Sequence, residues 1–191
     1  MSEEKTIFQP RTEAIYKVIV IGDPSVGKTS LLTKFSSKKF QTQYIPTVGT
    51  NILKEIVDLD DKGDKITVNL LLWDIAGQPQ FYMLHKPYFN GADGMMFIFD
   101  VTRQSTFSNV KNWYNTTVKF GLSGIPRVLI GNKIDLKEDR KIKKPHADHL
   151  SRELNASYFE TSAKTGVNVN MVFQKIAGLV YHSKSRGKIL K

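Results

Sequence analysis

Continuous apolar runs alternate along this chain with stretches whose apolar positions recur every three or four residues. The first run, Tyr16-Lys17-Val18-Ile19-Val20-Ile21, reads as a buried strand, and Ser30-Leu31-Leu32-Thr33-Lys34-Phe35 as the first turns of a helix. Residues 53–60 and 66–75 are two strand-like runs. The turn signal Asp61-Lys62-Gly63-Asp64 joins them into a hairpin. Residues 94–101 form a continuous apolar strand, 127–131 another, and 157–160 a short one. The spacing predicts one helix over 105–120. Val169, Val172, Phe173, Ile176, Leu179 and Val180 share one face of a terminal helix. Residues 1–14, punctuated by Pro10, predict a flexible extension.

Alternating β and α units specify an α/β domain of three layers. A six-stranded, mostly parallel sheet carries helices on both faces, and the hairpin adds one antiparallel edge strand. The domain is expected over residues 15–182, followed by a basic tail at 183–191. Such sheets bind ligands beyond the carboxyl ends of their strands. The loops after strands are therefore the places to look for chemistry.

Four of those loops carry signatures. After the first strand comes Gly22-Asp23-Pro24-Ser25-Val26-Gly27-Lys28-Thr29, which matches G-x-x-x-x-G-K-[ST] in a strand-loop-helix context. Glycines let the backbone wrap an anion, and free N–H groups at the helix start face it. Alone, this motif fits ATPases, small-molecule kinases and GTPases alike. Asp74-Ile75-Ala76-Gly77-Gln78 ends the second hairpin strand. There an Asp can hold Mg²⁺ through water, a Gly N–H can meet a γ-phosphate, and a Gln can orient an attacking water. Asn132-Lys133-Ile134-Asp135 follows the fifth strand, and its carboxylate can pair with the two N–H donors of guanine, which adenine lacks. In Thr161-Ser162-Ala163-Lys164 a backbone N–H can meet the guanine carbonyl. Each of the last three is weak alone; their order and spacing make the set specific.

Over residues 15–182 the chain resembles the Ras superfamily of small GTPases, nearest the Rab-like branch. Trp73-Asp74-Ile75-Ala76-Gly77-Gln78, Tyr88-Phe89-Asn90-Gly91-Ala92, Phe99-Asp100-Val101-Thr102 and Asn112-Trp113 carry the Rab-like likeness. The resemblance implies the P-loop NTPase fold of small G proteins and a switch that binds GTP or GDP with Mg²⁺ and slowly hydrolyses GTP. It places Ser25, Val26, Gly27, Lys28, Thr29 and Ser30 around the phosphates, with Lys28 also serving catalysis. Thr29, Thr47 and, through water, Asp74 hold Mg²⁺. Phe40 packs on guanine, Tyr44 closes over the phosphates, and Thr47 and Gly77 sense the γ-phosphate. Gln78 positions water. Asn132, Lys133 and Asp135 read the base with Ser162, Ala163 and Lys164. Switch I, residues 44–51, and switch II, residues 77–88, signal nucleotide state to effectors. The resemblance further implies an exchange factor, an activating protein and a setting in vesicle trafficking or related signalling. No arginine stands near Gln78 to act as an internal finger, since Arg103 and Arg127 are far from it in sequence. An arginine supplied in trans is worth about 10³–10⁵ in rate.

Departures from the pattern limit what carries over. Pro79 follows Gln78 and restricts its backbone. It is the best support for an alternative, a guanine-nucleotide-bound scaffold that does not hydrolyse; intact Gln78 and Thr47 stand against it. Thr50-Asn51 replaces the usual acidic-aromatic pair, so effector identity does not transfer.

Composition changes the picture mainly at the tail. The 191 residues carry 28 Lys and Arg against 18 Asp and Glu, a formal charge of +10, and no cysteine. Without cysteine, prenylation and palmitoylation are not expected, and Ser2 does not fit the myristoylation pattern. The protein is expected to be a cytoplasmic monomer without a lipid anchor. Lys184, Arg186, Lys188 and Lys191 each add about 1 kcal/mol at an anionic surface, a weak and salt-sensitive membrane contact. The basic set from 137 to 144 lacks interleaved aromatics, so nucleic acid is not expected as a partner. His146, Asp148 and His149 read as a solvated helix near Pro145, and Trp73 and Trp113 as packing residues.

Overall fold

The continuous apolar runs arise because each central strand divides its side chains between two cores. The computed structural model describes residues 15–37, 47, 49–61, 63–77 and 85–189. In chain order the elements are β1 (Ile15–Ile21), α1 (Lys28–Ser37), β2 (Thr50–Asp61), β3 (Asp64–Ile75), α2 (His85–Phe89) and β4 (Gly94–Asp100). They continue with α3 (Gln104–Ser108), α4 (Val110–Lys119), β5 (Arg127–Asn132), α5 (Lys144–Glu153), β6 (Ser157–Thr161) and α6 (Val169–Ile189). Along β1, Val18 and Val20 enter one core while Ile19 and Ile21 enter the other. The same alternation sends Met96 and Ile98 of β4 to the first core, and Met95, Phe97 and Phe99 to the second. Strands buried on both faces lose the polar alternation of a surface sheet.

The six strands lie in the order β2-β3-β1-β4-β5-β6. Only β2 runs antiparallel to its neighbour, in a ladder from Thr50 opposite Ile75 to Asp61 opposite Asp64. Asp60 accepts the Gly63 N–H at 2.9 Å and closes the hairpin turn. The helices α1 and α6 cover one face through Leu31, Leu32, Val172, Phe173 and Ile176. Phe89, Val110, Trp113, Ala147 and Leu150 cover the other. This is the three-layer, six-stranded α/β architecture that the hydrophobic pattern specifies.

Two stretches differ from the sequence reading. The single helix expected over 105–120 is two helices that meet at Asn109. There the N–H of Asn112 bonds the Asn109 carbonyl three residues back, at 3.0 Å, which tightens the turn. The segment from 183 onward continues α6 to Ile189 rather than beginning a separate tail. Lys184 on that helix pairs with Asp93 at 2.6 Å, which ties its charge to the domain. The extension 1–14 lies outside the described residues.

Phe173 is fully buried and stacks on Phe35 with ring centroids 4.0 Å apart, joining α6 to α1. Phe173→Ala is therefore expected to cost about 3–5 kcal/mol in chemical unfolding. A loss under about 1 kcal/mol would contradict this packing account.

Candidate nucleotide-binding site

The loop between β1 and α1 is shaped by what touches it. Gly27 has φ 98°, and a Cβ there would lie 2.3 Å from Asn132 Nδ2. That amide donates to the Val26 carbonyl at 2.9 Å. On the opposite side Gly77 approaches so closely that its Cβ would lie 2.4 Å from the Gly22 carbonyl oxygen. Ser25, exposed, adopts φ 61°, a strained value for a residue with a side chain. Helix α1 begins at Lys28, so its unpaired N–H groups open onto this loop.

Lys28 is 6% exposed, and its ammonium donates to the carbonyls of Gly22 (2.8 Å) and Asp23 (3.0 Å). Burial lowers its pKa to about 8, against the opposing pull of Asp74 and Asp23. Thr29 lies beside it. The Thr29 hydroxyl donates to Asp74 Oδ2 and stands 2.8 Å from the Thr47 hydroxyl. Asp74 is fully buried and its Oδ1 has no hydrogen-bond partner. Burial raises its pKa, opposed by the Thr29 hydrogen bond, Lys28 and Thr47. The structure thus brings Lys28, Thr29, Thr47, Asp74 and Gly77 together, with Ser30 half-buried on the first turn of α1.

Asn132, Asp135, Ser162 and Ala163 form a second group at the ends of β5 and β6. Ser162 donates to Asp135 Oδ1 at 2.6 Å and accepts the Thr165 N–H at 3.0 Å, which fixes the carboxylate. Asn132 Oδ1 accepts from Thr161 Oγ1 (3.1 Å) and from the Ala163 N–H (3.2 Å). That N–H, a candidate to meet a base carbonyl, is therefore engaged within the protein. Lys133 has φ 70°, and its ammonium meets Asp100 Oδ2 at 2.7 Å. Burial pushes Asp100 up, yet Lys133 and Thr102 together hold it below the usual carboxylate range. Lys164 is exposed. Phe40, Tyr44 and Gln78 lie outside the described residues, as does Pro79.

Several contacts were not anticipated from the sequence. Asp23 accepts from Asn109 Nδ2 and from the Trp113 indole N–H (2.8 Å), so Trp113 buttresses the loop as well as packing in the core. Arg103 donates from Nη2 to the Pro24 carbonyl at 2.8 Å and from Nε to Asp100 Oδ2 at 3.2 Å. An aspartate ending the otherwise apolar β4 is the one sequence signal that could have pointed here, because a charge so placed needs partners.

Residues 17–182 match the model of the Ras family. The chain is 37% identical to the Ras-related protein Rab-13 of Bos taurus over 177 residues, covering 93% of this chain and 85% of the bovine protein. The chain belongs to the Ras family.

Rab-like relatives extend across kingdoms. Identity is 36% over 171 residues to the Ras-related protein RIC1 of Oryza sativa, covering 90% of this chain and 83% of that protein. It is 35% over 163 residues to Rab-8B of Homo sapiens, covering 85% and 77%. The chain is a Rab-like small GTPase, a switch that binds guanine nucleotide and hydrolyses GTP. For Mg²⁺ the chemistry of the donor set is the test. Two hydroxyls and a buried carboxylate with an unpartnered oxygen are hard oxygen donors of the kind that cation takes, and they fit it.

Asn132 joins both halves of the site through Val26, Thr161 and Ala163, and it is 1% exposed. Removing its amide leaves buried donors and acceptors unpaired, at about 1–3 kcal/mol each. With three partners lost, Asn132→Ala is expected to lower stability by about 3 kcal/mol or more in urea unfolding. Stability equal to the parent would mean that water or rearrangement replaces the amide.

Proposed function

We propose that the loop at 22–29 cradles the phosphates of GTP while Asp135 reads the guanine. The observation that carries this is the convergence of Lys28, Thr29 and Thr47 on the buried, half-unpartnered carboxylate of Asp74. Ser25, Val26, Gly27 and Ser30 line the phosphate side. Lys28 exchanges its two carbonyl partners for phosphate oxygens, which suits an ammonium already withdrawn from water. Thr29 and Thr47, with Asp74 acting through water, would hold Mg²⁺. Bound there, the cation neutralises charge on the β- and γ-phosphates. Gln78 orients the water for in-line attack. The rest of catalysis is positioning and charge stabilisation by a site built in advance.

On the base side, Asp135 accepts the two guanine N–H donors, held in place by Ser162. Lys133 lies along the base with its ammonium on Asp100. Asn132, Ala163 and Lys164 complete the pocket, and Phe40 and Tyr44 close it. Thr47 and Gly77 report the γ-phosphate to switches I and II, which effectors read. Intrinsic hydrolysis is slow, and an activating protein and an exchange factor set the cycle. Rab-like ancestry favours a role in vesicle trafficking or related signalling. Among the described residues no helix is long and apolar enough to cross a membrane. We place the protein in the cytoplasm as a monomer with no nucleic-acid partner. Its membrane contact is weak and electrostatic, with Lys184 partly committed to Asp93.

Gln78→Leu tests the hydrolytic role. Single-turnover GTP hydrolysis is expected to slow at least tenfold, of the order of a lost water-positioning contact, while GTP affinity stays near the parent. Equal rates in variant and parent would remove Gln78 from the mechanism.

A further inference from the structure

Arg103 stands outside every motif that defines the site, yet it touches both halves of it. It lies at the end of the β4–α3 connection with its backbone pinned. Its N–H donates to the Asp100 carbonyl at 3.0 Å, and its carbonyl accepts the Thr106 hydroxyl at 2.8 Å and the Thr106 N–H at 3.2 Å. From that fixed root the guanidinium forks. Nε meets Asp100 Oδ2 at 3.2 Å, and Nη2 meets the Pro24 carbonyl at 2.8 Å. Asp100 is 1% exposed, and the same Oδ2 holds the Lys133 ammonium at 2.7 Å. One buried carboxylate oxygen therefore carries the cation beside the base-reading loop and the cation that grips the phosphate loop.

We propose that Arg103 is a positioning residue for nucleotide retention, a strut that fixes the Pro24 carbonyl and couples the phosphate loop to Lys133 through Asp100. Ser25, next to Pro24, sits at φ 61°, so the segment needs external restraint to present its N–H groups to phosphate. Asp23, on the other side of Pro24, is restrained in turn by Asn109 and Trp113. Arg103 supplies the missing side of that belt. A planar guanidinium suits the task because it donates in two fixed directions at once, as a lysine ammonium on a flexible stem does not. The Arg103 side chain is 40% exposed and directs Nη2 to a carbonyl on the loop. Its action is through the loop backbone.

This rests on reading 22–29 as the phosphate cradle, and the experiment separates the two ideas. The full chain is loaded with a fluorescent GDP analogue, and its release in Mg²⁺ is followed for the parent and for Arg103→Ala, Arg103→Lys, Lys133→Ala, Lys28→Ala and the Arg103→Ala/Lys133→Ala double variant. Arg103→Ala is expected to release the analogue roughly ten- to a hundredfold faster, the scale of hydrogen bonds to a charged group. Arg103→Lys, able to keep one of the two contacts, recovers about half of that on a logarithmic scale. Because Arg103 and Lys133 share Asp100, the double variant falls short of the product of the single effects. Release from Arg103→Ala within twofold of the parent, with Lys28→Ala fast, overturns the strut and leaves the phosphate-loop reading standing. Parental release from Lys28→Ala sinks that reading and the strut with it. A strictly multiplicative double variant, or an Arg103→Ala effect that lysine does not reduce at all, overturns the coupling and marks Arg103 as a fold contact alone.

Discussion

At the carboxyl edge of the sheet three charged side chains are withdrawn from water together: Lys28 at 6% exposure, Asp74 at 0% and Asp100 at 1%. Burying a charge costs several kcal/mol unless a partner of opposite sign and good geometry offsets it. Asp100 has that offset within the protein, from Lys133, Arg103 and Thr102. Lys28 and Asp74 have much less. Lys28 is left with backbone carbonyls and a lowered pKa, and Asp74 with an orphan oxygen and a raised one. An ammonium and a carboxylate held in this condition, each within the other's electrostatic influence, are matched by a ligand that is itself an anion carrying a cation. A magnesium-bound phosphate chain has that form. The rest of the domain, two cores and a sheet buried on both faces, provides the rigid frame that keeps these charges from relaxing into solvent.

The two halves of the site are joined by buried polar side chains rather than by the backbone alone. Asn132 binds the phosphate loop at Val26 while holding the β6 loop at Thr161 and Ala163. Asp100 does the same with charge instead of an amide. Such networks are stabilising when every member is satisfied and costly when one is lost. A change at one loop is therefore felt at the other. That coupling suits a switch in which phosphate contacts must alter the surface presented to partners.

Much of this was legible in the sequence, and for identifiable reasons. Strands such as 94–101 announce themselves because burial on two faces leaves a continuous apolar run, broken here only by Asp100 at its end. The phosphate loop does so because close approach of the Ile98 carbonyl to Gly22 and of the Asn132 amide to Gly27 demands glycines at fixed spacing. Local patterns fixed Lys28, Thr29, Asp74, Asn132 and Asp135 as candidates, and the fold gathers them at one edge. What the sequence hid are contacts between residues far apart along the chain. Trp113 to Asp23 spans 90 residues and Arg103 to Pro24 spans 79, and no periodicity links such pairs. Trp113 packs in the core as its largely apolar indole leads one to expect, and its single N–H adds a loop contact that apolar spacing does not reveal. The break at Asn109 was hidden for a different reason, since apolar spacing runs on through a turn that a local backbone hydrogen bond tightens.

The central claim is that a guanine nucleotide with Mg²⁺ offsets the buried charges around Lys28 and Asp74. A ligand that binds only the folded state raises stability with its concentration. The most direct measurement is thermal unfolding of the protein stripped of nucleotide, titrated in parallel with GDP and ADP in the presence of Mg²⁺. The account predicts an unfolding temperature that climbs with GDP and stays level with ADP. Equal shifts with the two nucleotides, or none with either, would contradict it.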